Sequence, residues 1–237
     1  MIGEYLTLKE KMKFTDFHKL PTRVIMKNTG RTVELKGDWS GKPPMFTGGP
    51  LRGNYVFEKI SFRWAPKEWT EAINYDPQYK FIDMQYMDMH LYFYKENLKS
   101  FEKAESQKDG LAAFKLKILF LEEDPLFKDL EKNIHKVQSK INSTVELHPI
   151  PLASFAVTDV SQESLQFLFY KGSIDYPPCS ESVTWFEPDF GGSISESLLN
   201  EFRKVKLEGG DVSNVRPPQA VNKRPTKWVN ADEVHNG

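Results

Sequence analysis

A single cysteine, Cys179, stands in 237 residues, so the chain can form no internal disulfide and no cysteine-based zinc site. An excess of one charge sign is also missing: 32 Lys and Arg face 33 Asp and Glu, a formal net charge of −1. That balance argues against nucleic acid as the main partner, because phosphate recognition needs a basic footprint. No apolar run approaches the roughly 18 to 20 residues that cross a bilayer. The opening MIGEYLTLKEKMKF is charged and lacks the apolar core of a signal peptide. As written, the start reads as cytoplasmic; a signal-bearing segment upstream of it would make the protein secreted. There is no internal repeat and no low-complexity tract. What is present, 39% hydrophobic and 27% charged residues, is an ordinary globular composition long enough to bury a substantial core.

Proline and glycine cluster at residues 41–44, 48–53, 149–151, 177–178 and 209–218. They punctuate short segments rather than mark one linker, which predicts a single domain over residues 1–224 with a flexible tail at 225–237. Between the turns the hydrophobic period is mostly two. Ile60, Phe62 and Trp64 alternate with Lys59, Ser61 and Arg63. Met87, Met89, Leu91 and Phe93 alternate with Asp88, His90, Tyr92 and Tyr94. Such alternation predicts strands with one face on a core, and further strands are expected at 24–28, 32–35, 113–121, 166–171 and 182–186. Two helices are expected. Residues 126–141 carry Leu126, Phe127, Leu130, Ile134, Val137 and Ile141 in one stripe. Residues 193–206 open with Ser193 and Glu196 in capping-box spacing and turn Leu198, Leu199, Phe202 and Val205 inward. Many strands with few helices make the chain α+β and β-dominated.

Several segments, in this order, resemble the α-class carbonic anhydrases. They are Asn28-Thr29-Gly30, Thr47-Gly48-Gly49-Pro50-Leu51 leading to Ile60–Trp64, Met87-Asp88-Met89-His90-Leu91 and Asp109-Gly110-Leu111-Ala112. The longest runs from Tyr170 through Ser173-Ile174-Asp175-Tyr176-Pro177-Pro178-Cys179 to Trp185, and the last is Asn214-Val215-Arg216-Pro217-Pro218-Gln219. The match runs from about Leu20 to Arg224. It implies the α-carbonic-anhydrase fold: a central, twisted, mostly antiparallel sheet with short peripheral helices and a conical cleft.

The resemblance also implies that the family's reaction is lost. Active members hold zinc with three histidines, leaving a fourth position for a water whose pKa falls to about 7. Carried over by position, two of these ligands become Ser61 and Arg63, and only His90 is retained. A serine hydroxyl is a poor ligand, and arginine offers no lone pair and brings a full positive charge. No metal and no other cofactor is therefore expected. Asp88 corresponds, shortened, to the acid that orients the third histidine. Asp175 replaces the threonine that accepts a hydrogen bond from zinc hydroxide, and Tyr176 stands at the next position. Arg31 falls where a histidine shuttles protons, and Lys59 where a glutamine flanks the first ligand. Residues 69–84 align poorly, and the family's Ser-Pro-Ile-type motif does not precede the first match, so the N-terminal part of the family fold is expected to be missing.

In place of a metal, Arg63 and Asp175 are expected to converge as an ion pair. Lys59, Arg63 and Arg31 form a candidate anion or partner site, set against Glu34, Asp88 and Asp175 in the same region. Tyr92, Tyr94 and Tyr176 are candidate pocket walls, although strand tyrosines more often pack. Pro177-Pro178, Glu181 as a buried carboxylate, and Trp185 as a core aromatic read as fold residues. The resemblance places Cys179 where secreted relatives carry half of a disulfide; here it would be a free thiol. Asn142-Ser143-Thr144 fits a glycosylation acceptor. The expected function is a carbonic-anhydrase-related protein with no hydration of CO₂, binding an unknown protein or a small anion. The alternative is a zinc-dependent hydratase with an atypical ligand set.

Overall fold

The computed structural model describes residues 4–5, 10–66, 87–120, 125–155, 166–188, 192–217, 219–220 and 223–230. Its strands in chain order are β1 (Glu4–Tyr5), β2 (Lys13–Thr15), β3 (Arg23–Asn28), β4 (Val33–Asp38), β5 (Met45–Thr47), β6 (Tyr55–Trp64) and β7 (Met87–Lys95). Then come β8 (Leu111–Phe120), β9 (Thr144–Leu147), β10 (Gln166–Gly172), β11 (Val183–Pro188), β12 (Ser193–Ile194) and β13 (Lys227–Asn230). The helices are α1 (Phe101–Glu105), α2 (Lys128–Asn133), α3 (His135–Gln138) and α4 (Glu196–Phe202).

The strands join in the order β1-β13-β10-β11-β8-β7-β6-β4-β3-β9. Neighbours are antiparallel except β8 with β11 and β1 with β13; β12 also lies parallel to β8. The sheet is thus mostly antiparallel, as expected from the resemblance.

The long strands β6 and β7 sort their side chains by parity. Ile60, Phe62, Trp64, Met89, Leu91 and Phe93 enter the main hydrophobic core, while Lys59, Ser61 and Arg63 share the other face with Asp88, His90 and Tyr92. Phe57 would fall on the polar face with Lys59 if strict alternation continued. It instead pairs with Phe93 and is buried, because the register shifts between Phe57 and Lys59. Glu58 is the extra residue of a β-bulge, and it reverses the parity of the strand.

Three expectations change. Residues 126–141 form not one helix but a 3₁₀ turn (Pro125–Phe127) followed by α2 and α3. The ladder is interrupted where Val137 N–H donates to the Ile134 carbonyl, a three-residue bond. Phe127, Leu130, Ile134 and Val137 remain buried, so the apolar stripe is as expected although the helix is not continuous. At α4 the capping side chain is Ser195, whose Oγ accepts from Leu198 N–H at 3.1 Å, and Ser193–Ile194 is a strand. In the expected tail, Lys227–Asn230 pairs antiparallel with β10. Leu121, the last residue of one expected strand, and the poorly aligning 69–84 lie outside the described residues.

Candidate functional site

One register row crosses four strands: Glu34 on β4, Ser61 on β6, His90 on β7 and Lys115 on β8. Beside it, Lys59 faces Tyr92 and Arg63 faces Asp88. Side chains directly opposite each other share a sheet face, so the alternation seen in the sequence gathers these polar groups on one wall. The connection from β10 to β11 lays Asp175 and Tyr176 over that wall. It is pinned by Arg216 Nη1 donating to Ser173 Oγ (2.7 Å), by Trp185 Nε1 donating to the Ser173 carbonyl (3.1 Å) and by the fully buried Ile174. Asn214 fixes the end of β6: its Nδ2 donates to the Phe62 carbonyl, and its Oδ1 accepts from Trp64 N–H.

Arg63 and Asp175 meet as a two-point pair. Arg63 Nε donates to Asp175 Oδ2 at 2.6 Å and Nη2 to Oδ1 at 2.9 Å. Nη1 turns back to Ser61 Oγ (2.6 Å) and the Phe62 carbonyl (2.9 Å), with Thr32 Oγ1 at 3.2 Å. Tyr92 OH donates to Asp175 Oδ1 at 2.7 Å. The Arg63 side chain is 5% exposed and that of Asp175 15%. Burial is the largest single influence and opposes both charges, but the favourable interactions together exceed it. The Asp175 carboxyl is held well below the usual carboxylate range, with Arg63 and then His90 as the favourable charges, and the Arg63 guanidinium is raised. Burial and the Asp175 charge push the Tyr92 phenol up.

His90 is buried between two carboxylates. Its Nδ1 lies 3.3 Å from Asp175 Oδ2, and its Nε2 lies 3.9 Å from Asp88 Oδ2. Neither ring nitrogen makes a well-formed hydrogen bond, nor does Asp88 Oδ1. Burial lowers the His90 pKa, but Asp175 leads a set of favourable interactions that raises it overall. Lys115 Nζ stands 3.6 Å from Asp88 and 3.8 Å from Glu187, and Tyr170 OH donates to Glu187 at 2.6 Å. Among the described residues, no group of three or more His, Cys, Asp or Glu side chains is placed to hold a metal ion.

The Arg63–Asp175 pair lines two cavities and forms a wall common to both. The first chamber, about 610 Å³, contains Arg31, Lys36, Lys59 and Arg63 against six carboxylates. Lys59 donates to Glu34 at 2.7 Å, with its ammonium 4.9 Å from the Phe101 ring centre and 5.4 Å from that of Tyr176. Lys36 pairs with Glu58. Of the three residues proposed for an anion, Lys59 and Arg63 thus already face carboxylates, and Arg31 is exposed at the rim. Tyr176 donates to Glu105, and burial with that bond raises its pKa.

The second chamber, about 520 Å³, is lined by Asp88, His90, Lys115, Tyr170, Arg216 and Arg224 among others, with Cys179 on its wall. Trp185 is a core aromatic, as expected. Glu181 is not a buried carboxylate: its side chain is 81% exposed, with Arg224 4.0 Å away, because the turn after Cys179 directs it to solvent. Tyr94 packs against the Tyr92 cluster and does not line either chamber. Asn142 is exposed in the turn before β9. Thr32, Lys115, Tyr170, Glu187 and Arg224 were not singled out from the sequence. Only Lys115 gave a signal, as a polar residue on the same alternation that places His90 across from it.

A family model for eukaryotic-type carbonic anhydrases matches residues 4–229. Human carbonic anhydrase 7 is 27% identical over 209 residues, covering 84% of this chain and 75% of the relative. Putative carbonic anhydrase 5 of Caenorhabditis elegans is 27% identical over 231 residues, covering 93% and 70%. Human carbonic anhydrase 3 is 22% identical over 204 residues, covering 83% and 74%. With the sheet order, the loop over its polar wall and a family match across nearly the full length all in agreement, the chain belongs to the eukaryotic-type carbonic anhydrase family.

Proposed function

We propose that this family member does not hydrate CO₂ and serves as a binding or scaffolding domain. The observation that carries the reading is the two-point Arg63–Asp175 pair. The resemblance puts the metal-ligating histidines of active relatives at Ser61, Arg63 and His90, and the groups present there do not suit zinc. The Ser61 hydroxyl accepts from Arg63, and the guanidinium has no lone pair and repels a cation. Burial lowers the His90 pKa, but the Asp175 and Asp88 carboxylates raise it overall, and the proton they favour competes with a metal for the ring. At the position of the threonine that steers zinc hydroxide, Asp175 neutralises the guanidinium. The wall is thus charge-compensated by the protein's own side chains.

The test is metal analysis of the purified protein alongside a CO₂-hydration assay. The expected result is substoichiometric zinc and hydration at the uncatalysed rate. Stoichiometric zinc, with hydration abolished by His90→Ala, would establish the alternative instead: a zinc-dependent carbonic anhydrase with an unusual ligand set.

A further inference from the structure

The two chambers differ in what their charges are free to do. In the first, carboxylates outnumber basic groups, and Lys36, Lys59 and Arg63 each face a carboxylate partner. In the second, Arg63 is committed to Asp175, and Lys115 is shared between Asp88 and Glu187. Two guanidiniums remain. Arg216 donates to neutral oxygens, Ser173 Oγ at 2.7 Å and the Ile174 carbonyl at 3.4 Å. Arg224 packs over Gly172, where an added Cβ would lie 3.3 Å from its Nη1. It approaches the Glu181 carboxylate at 4.0 Å, but that group is mostly in water, where pairing is weak.

The same chamber is lined by the two side chains that, among the described residues, carry unmatched buried atoms: the His90 ring nitrogens and Asp88 Oδ1. His90 is 3% exposed and Asp88 9%. Buried polar atoms without partners are costly and uncommon in native proteins. A buried ring N–H beside a cavity calls for an acceptor, and a carboxylate oxygen calls for a donor. A hydrated oxyanion supplies both, through its own oxygens and its bound water. The volume, about 520 Å³, falls in the range of small-molecule sites.

We propose that the second chamber is an oxyanion site, recognising a small carboxylate or phosphate through the Arg216 and Arg224 guanidiniums. Planar forks of this kind match both groups in two-point geometry. The proposal gives the binding role above a ligand class. Zinc analysis tests that role's premise and anion titration tests this chamber, so the two can fail separately.

Calorimetric titration of the full chain with inorganic phosphate and with succinate provides the test, the stronger binder identifying the source of the oxyanion. Saturable one-to-one binding is expected, weakened about tenfold or more in Arg224→Gln and in Arg216→Gln. Glu181→Gln is expected to tighten it, by removing a competing carboxylate, and Arg31→Gln to leave it unchanged. Arg216 also pins the Ser173 turn, so thermal melts accompany each variant, and Arg224→Gln carries the test if Arg216→Gln fails to fold. Absence of saturable binding by both probes would overturn the proposal. So would unaltered affinity in Arg224→Gln, or a loss confined to Arg31→Gln, which would move the anion to the first chamber.

Discussion

Asp88 sits directly opposite Arg63 in the register of β6 and β7, yet the Arg63 guanidinium is bound to Asp175 from the loop between β10 and β11. Arg63 therefore ties the sheet to the loop above it, across 112 positions of sequence. Asp88 is left to Lys115 and to the edge of His90. Both ends of the long-range pair are buried, so its loss exposes a desolvated charge on whichever side remains.

Removal of either partner alone is expected to be severe. Arg63→Met and Asp175→Leu should each destabilise the fold by about 3 to 5 kcal/mol, whereas the double variant should cost much less than their sum. Urea unfolding of the four proteins completes the cycle. Single variants that lose under about 1 kcal/mol would mean the pair is solvated in solution.

Stability should pass through a plateau as pH is varied. The Asp175 pKa is depressed, so its contribution is present above the ordinary value of 3.8 and disappears as pH falls through the lower folded value. The His90 pKa is raised, so its contribution is complete below 6.5 and is lost as pH rises through the folded value. Melting temperature against pH should therefore decline on both sides, and Asp175→Asn should flatten the acid limb.

Tyr92→Phe removes the phenol donor to Asp175 Oδ1 while keeping the ring. Loss of a hydrogen bond to a buried carboxylate should cost about 1.5 to 3 kcal/mol. Tyr94→Phe, at a half-buried ring packed beside the Tyr92 cluster, should cost under about 0.5 kcal/mol. Chemical denaturation of the two variants gives the comparison, and equal losses would contradict the assigned donor.

Reinstating histidines at two positions should create metal affinity. In Ser61→His/Arg63→His the guanidinium is gone and three imidazoles face one another across β6 and β7, a set suited to zinc. Equilibrium dialysis should show zinc bound by the double variant and not by the original chain. Equal zinc uptake by both proteins would count against the reading of Arg63 as an obstacle.

Much of the wall was legible because strand parity is simple: alternation on β6 and β7 identified Lys59, Ser61, Arg63, Asp88, His90 and Tyr92 as one face. The resemblance supplied what parity cannot, the loop carrying Asp175. Pairing of Arg63 with Asp175 could be anticipated from opposite charges at converging positions. Features set by tertiary packing were not readable. The ladder break at Ile134 leaves the apolar stripe intact, so the stripe cannot reveal it. Glu181 departs from the expected burial because the backbone turn that sends it outward has no hydrophobic signature. The pairing of Lys227–Asn230 with β10 depends on an available sheet edge, and a short segment with little pattern gives no hint of one.

The supernumerary Glu58 has a practical consequence for anyone rebuilding this hairpin. Deleting it would join Phe57 to Lys59 in regular alternation and leave Phe57 on the dry row opposite Phe93, whereas giving it a partner by an insertion between Tyr92 and Phe93 would turn both rings to the wet row. A chimera assembled from a relative therefore keeps its two sides in order when β6 and β7 are exchanged together, with or without that unpaired position.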